Sequence, residues 1–550
     1  MQFAGGRILT GEITAKTSRM PPEENATSFF VDRHTTGESG ARIAFRDPWR
    51  TLSYAGLRRA SSRFAGALAA AGVAREQRIA LVMLDTIDFP IVFWGALRAG
   101  IIPVPINTLL TSEQTGTILE DSRAVALAVS APLLPALRPA LATLAHSPRI
   151  IAAALDGTPP EVAQAEIRFA DFLAGGRDDL PPLPVPADEV AFWLYSSGST
   201  GRPKGVRHVH GSLRATAETY GAKVLGIRPG DLVFSAAKLF FAYGLGNAMT
   251  FPMSVGAGAV LLPGRPTAEA VLATMETFQP SIFAGVPTLY AALLAQPALG
   301  RGAGSTRLRR AISAGEPLPE AIGRRWQEAV GVDILDGLGS TEMLHIFLSN
   351  TPGDVQYGTS GRAVPGYEVR IVDENGTAVG DGETGELIVS GPSAADGYWN
   401  RRDQSRATFR GIWTYTGDTY VRNEDGTFRY CGRADDMMKV GGIWVSPFEV
   451  EAALMAHPAV LEAAVVGHPD QTGLIKPKAF IVLKPGTGTL TPPALQEDLK
   501  RHVKEKIGAW KYPRWIVFAE SLPKTATGKI QRYKLRQGAP CQGTPCQGTP

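Results

Sequence analysis

Hydrophobic residues along most of the chain fall into two kinds of alternating segment. Short β-type apolar runs are followed by Ala- and Leu-rich stretches with helical spacing, and then by another apolar run. Residues 78–106 show the pattern, which predicts a buried strand over 78–84, a helix over 89–100 and a strand over 101–106. Strands that alternate with helices indicate α/β architecture with largely parallel sheets.

The pattern changes in the last third of the chain. The runs 281–289 and 332–340 still predict strands that end in glycine turns. Residues 367–391 instead alternate apolar and polar positions around Asn-Gly and Asp-Gly dipeptides, which is typical of antiparallel hairpins. New helical and strand patterns follow over 435–535, a stretch long enough for a separate small domain.

The chain accordingly divides into four predicted parts, since 550 residues exceed what one core needs. An N-terminal extension covers 1–20. A large α/β domain of several subdomains, one of them β-rich, covers 21–434. A small α+β domain covers 435–535, and a low-complexity tail that repeats PCQGTP covers 536–550.

Composition narrows the class of protein. Hydrophobic residues make up 44% and charged residues 20%, which is ordinary for a soluble globular protein. The formal net charge of +4 gives no reason to expect nucleic acid as a partner. Of the three cysteines only Cys431 lies outside the tail, which argues against a disulfide framework and a Cys-rich metal site.

The sequence predicts neither a membrane span nor a secretory signal. The most apolar long stretch, 78–106, carries Asp85, Asp88 and Arg98 and is interrupted by prolines. A span needs about 20 uninterrupted apolar residues. The first 25 residues lack the apolar core of a signal peptide. We therefore expect a cytoplasmic protein without a membrane partner.

The glycine-rich stretch YSSGSTGRPKGV (195–206) is the first candidate for chemistry. Its glycines let the backbone approach a ligand, and its hydroxyls and lysine offer hydrogen bonds and charge to an anion. The spacing differs from the G-x-x-x-x-G-K-[ST] of the P-loop. The alternative interpretation is a flexible surface loop. The candidate phosphate-binding residues are Ser196, Ser197, Gly198, Ser199, Thr200, Gly201 and Lys204.

Six motifs in order make the chain resemble the adenylate-forming superfamily of acyl-CoA synthetases, peptide-synthetase adenylation domains and firefly-type luciferases. They are YSSGSTGRPKG (195–205), SAGEPLP (313–319), DGLGSTE (336–342), YTGDTY (415–420), YCGRADDMMKVGGIWVSPFEVE (430–451) and PKTATGKIQR (523–532). The resemblance spans roughly residues 40–535. It implies a large N-terminal domain followed by a small, mobile C-terminal α+β domain.

Two further stretches look like the benzoate-CoA ligase branch, with its hydroxybenzoate and aminobenzoate relatives. They are KLFFAYGLGNAM (238–249) and GSTEMLHIFLSN (339–350). Many aryl-CoA ligases have a His before the substrate pocket at the position where this chain has Phe241. That departure fits the benzoate branch.

The resemblance implies a set of nucleotide-binding residues. Asp418 is expected to accept both ribose hydroxyls, and Arg433 is expected to make a second ribose or phosphate contact. A turn-capping aspartate and a surface arginine are the alternatives. The residues expected around adenine are Ala314, Gly315, Glu316, Asp336 and Gly337.

The resemblance also implies the catalytic groups. Thr341 and Glu342 are expected to face phosphate and Mg²⁺, with Glu342 as the metal ligand. Lys529 is expected to lie between the carboxylate and the α-phosphate, where a compact charge on a long stem offsets the repulsion of two anions. Without the motif, an exposed loop lysine would be the ordinary interpretation of Lys529.

The remaining implied residues belong to the second half-reaction and to the acid. Asp435 corresponds to the hinge between the domains. The residues expected to line the coenzyme A tunnel are Gly441, Gly442 and Trp444. Flat apolar walls suit a planar ring, and the acid-pocket candidates are Phe241, Ala242, Tyr243, Gly244, Gly337, His345 and Ile346. For His345, a satisfied core histidine is the alternative.

The sequence thus predicts an ATP-dependent aryl carboxylate–CoA ligase, with benzoate as the favoured acid and ATP, Mg²⁺ and coenzyme A as cofactors. A small aryl carboxylate is the expected partner, and the protein is expected to be a monomer or homodimer. Three alternatives stay open: a ligase for hydroxybenzoate, aminobenzoate or another small carboxylate, an adenylating enzyme that loads a carrier protein, and a non-catalytic adenylate-binding protein. A luciferase-like oxygenase is disfavoured.

Overall fold

The computed structural model describes residues 25–158, 160–197, 203–433, 436–440, 443–471, 474–484, 491–508, 511–524 and 530–536, without the side chains of Ser197, Lys439, Ile443 and Trp444. The predicted N-terminal extension (1–20) and nearly all of the predicted tail (536–550) lie outside these residues. The predicted boundary at 434/435 lies outside them as well.

Strands and helices alternate through the described residues as the pattern predicts. The strands are β1 (Ile43–Arg46), β2 (Thr51–Ser53), β3 (Arg78–Val82), β4 (Ile102–Pro105), β5 (Ala126–Ser130), β6 (Arg149–Ala153), β7 (Glu166–Arg168), β8 (Val190–Ser197), β9 (Pro203–Val209), β10 (Leu232–Ser235), β11 (Gly258–Val260), β12 (Ile282–Gly285), β13 (Arg310–Ser313), β14 (Ile334–Gly339), β15 (Ile346–Ser349), β16 (Arg362–Ala363), β17 (Glu368–Val372), β18 (Thr384–Ser390), β19 (Gly397–Tyr398), β20 (Phe409–Arg410), β21 (Trp413–Arg422), β22 (Phe428–Arg433), β23 (Met438–Val440), β24 (Ile443–Val445), β25 (Val460–Pro469), β26 (Ile475–Leu483) and β27 (Trp515–Phe518).

The α-helices are α1 (Ala26–Phe30), α2 (Tyr54–Ala70), α3 (Asp88–Arg98), α4 (Ser112–Ser122), α5 (Leu134–Leu141), α6 (Phe169–Ala174), α7 (His210–Thr216), α8 (Ala242–Leu245), α9 (Phe251–Val255), α10 (Ala268–Phe278), α11 (Pro287–Leu294), α12 (Glu320–Val330), α13 (Arg402–Thr408), α14 (Pro447–Met455), α15 (Pro492–Ile507) and α16 (Arg532–Arg536). Two π-helices, Ala217–Val224 and Gly246–Thr250, extend α7 and α8.

The stretch 78–106 folds as predicted into β3, α3 and β4. These strands belong to a parallel sheet with the order β4-β3-β5-β6-β7. Helix α3 is buried on all sides because it packs between this sheet and α2. Its one arginine, Arg98, is fully buried, where Asp32 neutralises its charge and the Leu180 carbonyl accepts a further hydrogen bond. No helix in the described residues is long and apolar enough to cross a membrane.

A second large sheet has the strand order β16-β15-β14-β13-β12-β10-β11-β1-β2. Its middle strands are parallel, and β2, β15 and β16 run antiparallel at the edges. The predicted strand over 332–340 is confirmed as β14. The predicted strand over 281–289 is too long, because β12 ends at Gly285 and Pro287 begins α11. Proline favours that first helical position.

The parallel strands of this sheet determine where a ligand can bind. In open α/β sheets, ligands bind outside the carboxyl ends of the strands. The segments that leave the carboxyl ends of β10, β12, β13 and β14 all line one cleft. The helices on either face therefore hold these segments at one edge of the sheet.

Antiparallel sheets complete the N-terminal part. Strands β17 and β18 form the hairpin predicted for 367–391. Strand β18 also pairs with β21, and β21 pairs in turn with β20 and β22. A smaller sheet, β19-β9-β8, carries the glycine-rich stretch between β8 and β9.

The residues from Met438 onward pack around a hydrophobic cluster of their own, which includes Val465 and Leu499. Helices α14 and α15 cover the sheet β25-β26-β27, in which β26 and β27 are parallel. One buried ion pair ties the end of the chain to this unit. The Glu451 carboxylate accepts hydrogen bonds from Arg532 at 2.8 Å and from the Val465 backbone N–H at 2.7 Å.

Replacing Glu451 by Ala should destabilise the C-terminal unit by about 3–5 kcal/mol, because it leaves the Arg532 guanidinium buried without its partner. The side chains of Glu451 and Arg532 are only 5% and 13% exposed. Amide hydrogen exchange in β25 and β26 measures the local free energy of opening. The matched control is Glu462→Ala, which breaks the more exposed pair with Lys524 and should cost at most about 1 kcal/mol. Equal protection of the β25 and β26 amides from exchange in Glu451→Ala and Glu462→Ala would contradict the prediction.

Candidate active site

The cleft at the carboxyl ends of the strands has a volume of about 2790 Å³. A typical small-molecule pocket is roughly 300–1,000 Å³, so the cleft has room for more than one ligand. Its walls come from the N-terminal sheets, from the β-rich subdomain and, on the C-terminal side, from Lys524 and residues 530–534. Nearly all of the predicted site residues that are described lie on these walls.

The two ends of the glycine-rich stretch lie on the cleft. Strands β8 and β9 pair antiparallel, with Ser196 opposite Lys204, and both residues line the cleft. The pairing therefore brings the two described ends of the stretch together at the cleft wall. The predicted residues Gly198, Ser199, Thr200 and Gly201 lie outside the described residues, and only the backbone of Ser197 is described.

The base of this hairpin rests on Asp121, which the sequence did not indicate. The Tyr195 hydroxyl donates to Asp121 Oδ2 at 2.7 Å, and Arg401 donates to Oδ1 at 3.1 Å. Burial, together with the negative charge of Asp121, raises the pKa of Tyr195, so the hydroxyl stays protonated as a donor. The contact joins residues 74 positions apart, and no local pattern could reveal it.

Asp418 and Arg433 are brought together by strand pairing. They lie directly opposite each other on β21 and β22, and Arg433 donates to Asp418 Oδ1 at 3.1 Å. Gly417 has φ +69°, and a Cβ there would lie 2.8 Å from the Arg433 guanidinium. The positive φ favours glycine at this turn, and the absence of a side chain lets the guanidinium lie against the backbone. Both Asp418 and Arg433 line the cleft.

The loop after β13 forms another wall. Ala314, Gly315 and Glu316 line the cleft, and Gly315 takes φ +95°, which favours glycine. Asp336, predicted to contact the nucleotide, is 4% exposed and does not line the cleft. Its Oδ2 accepts the Leu318 N–H at 3.4 Å, and burial raises the pKa of Asp336 to about 8.

The segment that carries Thr341 and Glu342 is clamped from both sides. His208 on β9 donates from Nε2 to the Thr341 carbonyl at 2.8 Å, and the Ala395 N–H donates to the Glu342 carbonyl at 2.8 Å. Burial lowers the pKa of His208 to about 4, so the ring is neutral. Both predicted side chains line the cleft.

Glu342 fits a magnesium ion only in combination with a phosphate ligand. Within the described ranges, no group of three or more His, Cys, Asp or Glu side chains could hold a metal. Mg²⁺ commonly binds through one or two carboxylates plus substrate phosphates and keeps several waters. A single carboxylate facing a cleft beside a glycine-rich loop matches that donor set.

The candidate acid pocket is formed where β10 leads into α8 and β14 leads into β15. Phe241, Ala242, Tyr243, His345 and Ile346 line the cleft together. The Tyr243 hydroxyl lies 3.1 Å from each of two carbonyl oxygens, those of Gly285 and Ile312. Because its polar end is satisfied by backbone, Tyr243 presents a fixed aromatic wall.

His345 combines the two predicted alternatives, since it reaches the cleft and is also packed in the core. It is 3% exposed, and its ring centroid lies 4.5 Å from that of Phe251 and 5.8 Å from that of Tyr243. Burial lowers the pKa of His345 to about 3, so the ring is neutral. A Cβ at Gly246 would lie 2.4 Å from this ring, which explains the glycine in the adjacent π-helix.

Two predicted pocket glycines do not line the cleft. A Cβ at Gly244 would lie 2.0 Å from the Lys238 carbonyl oxygen, so Gly244 serves the turn into α8. A Cβ at Gly337 would lie 2.8 Å from the Leu348 carbonyl oxygen, so Gly337 allows β14 to approach β15.

Several predicted residues lie outside the description. They are Lys529, predicted to be catalytic, Asp435, predicted to be the hinge, and Gly441 and Gly442, predicted to line the coenzyme A tunnel. For Trp444, the third predicted tunnel residue, only the backbone is described. The described neighbours of Lys529 lie at the cleft. Lys524 and Ile530 form an isolated bridge, and both line the cleft, as Arg532 does.

Comparison with known proteins agrees with this arrangement. Residues 32–399 match the profile of the family described as AMP-binding enzyme, and residues 449–529 match that of the AMP-binding enzyme C-terminal domain. The 4-hydroxybenzoate--CoA/benzoate--CoA ligase of Rhodopseudomonas palustris is 54% identical over 93% of this chain and 94% of the relative. The benzoate--CoA ligase of Thauera aromatica is 51% identical over 95% of this chain and 98% of the relative.

A solved structure shows the same likeness in three dimensions. The benzoate CoA ligase from Burkholderia xenovorans LB400 aligns with a TM-score of 0.85 at 46% identity, covering 93% of this chain and 100% of that chain.

The buried carboxyl of Asp336 should make stability fall as the pH rises. Its pKa is about 8 in the folded protein and 3.8 when free, so between about pH 4 and pH 8 the folded chain binds a proton that the unfolded chain lacks. The free energy of unfolding then decreases by at most about 1.4 kcal/mol per pH unit. Asp336→Asn removes this dependence.

We therefore expect the melting temperature of Asp336→Asn to exceed that of the wild type by a margin that grows from pH 5 to pH 8. Differential scanning calorimetry measures the melting temperature at each pH, and Asp403→Asn, at an exposed position on α13, is the control. Parallel curves for wild type and Asp336→Asn would show that Asp336 does not hold the proton.

Proposed function

Because the chain belongs to the AMP-binding enzyme family, we propose that it joins an aryl carboxylate, benzoate above all, to coenzyme A with the use of ATP. It is an AMP-forming acid–thiol ligase. The observation that carries the choice of acid is that benzoate–CoA ligases more than 50% identical match over nine-tenths of the chain. The flat aromatic walls of the cleft are consistent with such an acid.

The reaction has two balanced steps. A carboxylate oxygen attacks the α-phosphorus of ATP, the bond to the β,γ-phosphates breaks, and aryl-AMP and pyrophosphate form. The thiolate of coenzyme A then attacks the acyl carbon, and AMP leaves. The proton of the thiol passes to solvent, and a thioester is the product.

The family motifs suggest the nucleotide roles, and the geometry of the cleft supports them. Asp418 would accept hydrogen bonds from both ribose hydroxyls through its two oxygens. Arg433 fixes the orientation of that carboxylate through its hydrogen bond and adds positive charge near the phosphates. The glycine-rich stretch after Ser196 would surround the β,γ-phosphates with backbone N–H groups, with Lys204 supplying a cation.

Glu342 would hold Mg²⁺ together with the phosphates, and the ion would neutralise charge on the transferred group. Lys529 would lie between the acid and the α-phosphate during adenylation. We also propose that Asp435 is the hinge for rotation of the C-terminal domain, and that Gly441, Gly442 and Trp444 line the path of coenzyme A. These assignments rest on the family motifs.

The acid would lie between Phe241, Tyr243, His345 and Ile346. Two fixed rings and a branched aliphatic side chain favour a flat ring over a flexible chain. 4-Hydroxybenzoate is the second candidate substrate, because the relative from Rhodopseudomonas palustris is named for both benzoate and 4-hydroxybenzoate.

A panel of acids with ATP and coenzyme A tests the proposal. Benzoate should exceed acetate and decanoate by about 100-fold in kcat/KM, scored by AMP formation. Burial of roughly 100 Å² of ring surface at about 25 cal/mol per Å² corresponds to about 2.5 kcal/mol. Acetate leaves the slot unfilled, and a long chain does not fit between the rings.

The panel includes 4-hydroxybenzoate and 2-aminobenzoate. Each adds one small group to the ring, and each should be accepted within about 100-fold of benzoate. A preference for acetate or decanoate would contradict the aryl assignment and leave adenylation intact. Adenylate formation without thioester, with coenzyme A present, would favour an enzyme that loads a carrier protein.

Lys529→Ala should reduce benzoate adenylation by at least about 100-fold, as removal of one transition-state contact commonly does. Thioester formation from synthetic benzoyl-AMP and coenzyme A should change much less, because in that step no carboxylate has to approach the α-phosphate of ATP. Stopped assays of each half-reaction measure the split, with Lys524→Ala as the control on the same cleft wall. Equal loss of both half-reactions would refute the role of Lys529.

A further inference from the structure

We propose that Tyr398 is a positioning residue for the adenylation step, an inference that rests on the proposed function. It holds the Glu342 carboxylate toward the Mg²⁺ site and supports the Lys204 ammonium toward the phosphates. Neither the family motifs quoted for this chain nor its local pattern assigns a role to Tyr398.

Strand pairing brings Tyr398 to the edge of the glycine-rich hairpin. Strand β19 pairs antiparallel with β9, and Tyr398 lies opposite Val206. Lys204 is two residues from Val206 on the same strand, so both residues point to one face of the small sheet. The Lys204 Nζ lies 4.7 Å from the centroid of the Tyr398 ring, which is a cation–π distance.

The hydroxyl of the same side chain reaches Glu342, the proposed metal ligand. Tyr398 donates to Glu342 Oε1 at 2.9 Å, with Thr408 Oγ1 3.4 Å from the phenol oxygen. Tyr398 is only 5% exposed, and its ring packs 5.4 Å from that of Phe409. The phenol is therefore held in place and imposes one direction on the carboxylate.

The position of Tyr398 between a cation and an anion has a chemical consequence. Lys204 and Glu342 both line the cleft and have opposite charges, and Tyr398 contacts each of them. A direct pair would neutralise the two groups that phosphate and Mg²⁺ need. The phenol satisfies one carboxylate oxygen through a neutral donor, and its ring face attracts the ammonium, so both charges remain available to a ligand.

Two substitutions separate the two contacts. Tyr398→Phe keeps the ring beside Lys204 and removes the hydroxyl. It should raise the Mg²⁺ concentration for half-maximal ATP binding by about tenfold, the lower range for a hydrogen bond to a charged group. Tyr398→Leu removes the ring as well and should weaken ATP binding about threefold further at saturating Mg²⁺, as an exposed cation–π contact would.

The readout is the binding of a fluorescent ATP analogue to the full-length protein, titrated with MgCl₂ in the absence of acid and coenzyme A. Tyr357→Phe is the matched control. The Tyr357 hydroxyl donates a hydrogen bond of 3.0 Å to the Asp333 carboxylate, and neither residue lines the cleft. It should leave the Mg²⁺ midpoint unchanged. A midpoint for Tyr398→Phe within twofold of the wild type would overturn the inference.

A double-mutant cycle decides whether the hydroxyl acts through Glu342. In a Glu342→Gln background, Tyr398→Phe should have almost no further effect on the midpoint. Additive effects would refute the coupling. The wild type is assayed in parallel for AMP formation from benzoate, ATP and coenzyme A. Inactivity of the wild type with every acid would reject the proposed function, whereas an active wild type with an unchanged Tyr398→Phe midpoint rejects only the role of Tyr398.

Discussion

Electrostatic repulsion between a carboxylate and the phosphates of ATP is the constraint to which the cleft responds. Two anions must approach within bonding distance, and cations beside them offset that repulsion. Lys204 rests on an aromatic ring, and Arg433 bonds to an aspartate and a backbone carbonyl. Lys204 lies on β9 and Arg433 on β22, so these cations reach the cleft from two antiparallel sheets. The parallel strands of the large sheet end at the same cleft, which is where ligands bind in open α/β sheets.

Burial determines which other groups can contribute charge. His208 and His345 lie beside the cleft, and burial lowers the pKa of each to about 4 and about 3, so both are neutral near neutral pH. Asp336 lies beneath the same wall and holds its proton up to about pH 8. These three buried groups therefore add hydrogen bonds and shape without adding net charge near neutral pH. The field at the reacting atoms then depends on the exposed ions and on the ligands themselves.

The sequence predicted most of the fold because apolar runs and turn residues report local structure. Strands β3, β4 and β14 and the hairpin β17–β18 follow directly from those patterns. The strand predicted over 281–289 was too long, because β12 ends at Gly285 and Pro287 begins α11. Motifs placed Asp418 and Glu342 at the cleft, but a motif does not say how deep each member lies. Asp336 is two residues, or about 6.6 Å, behind Leu338 on β14 and is thus covered by the wall. Asp121 and Tyr398 act through contacts between distant segments, which a single sequence does not reveal.

The short segment between β14 and β15 joins the two halves of the proposed chemistry. It carries Glu342 toward the phosphates and, three residues later, His345 toward the acid. Leu344 between them takes φ +63°, a conformation that is strained for a branched side chain and that persists only where neighbours impose it. The clamps from His208 and Ala395 on one end and the packing of His345 on the other supply that restraint. A change in the shape of the acid pocket therefore acts on a backbone that cannot relax independently of Glu342. In the proposed reaction, selection of the acid by His345 and orientation of the Glu342 carboxylate would therefore depend on the same restrained turn.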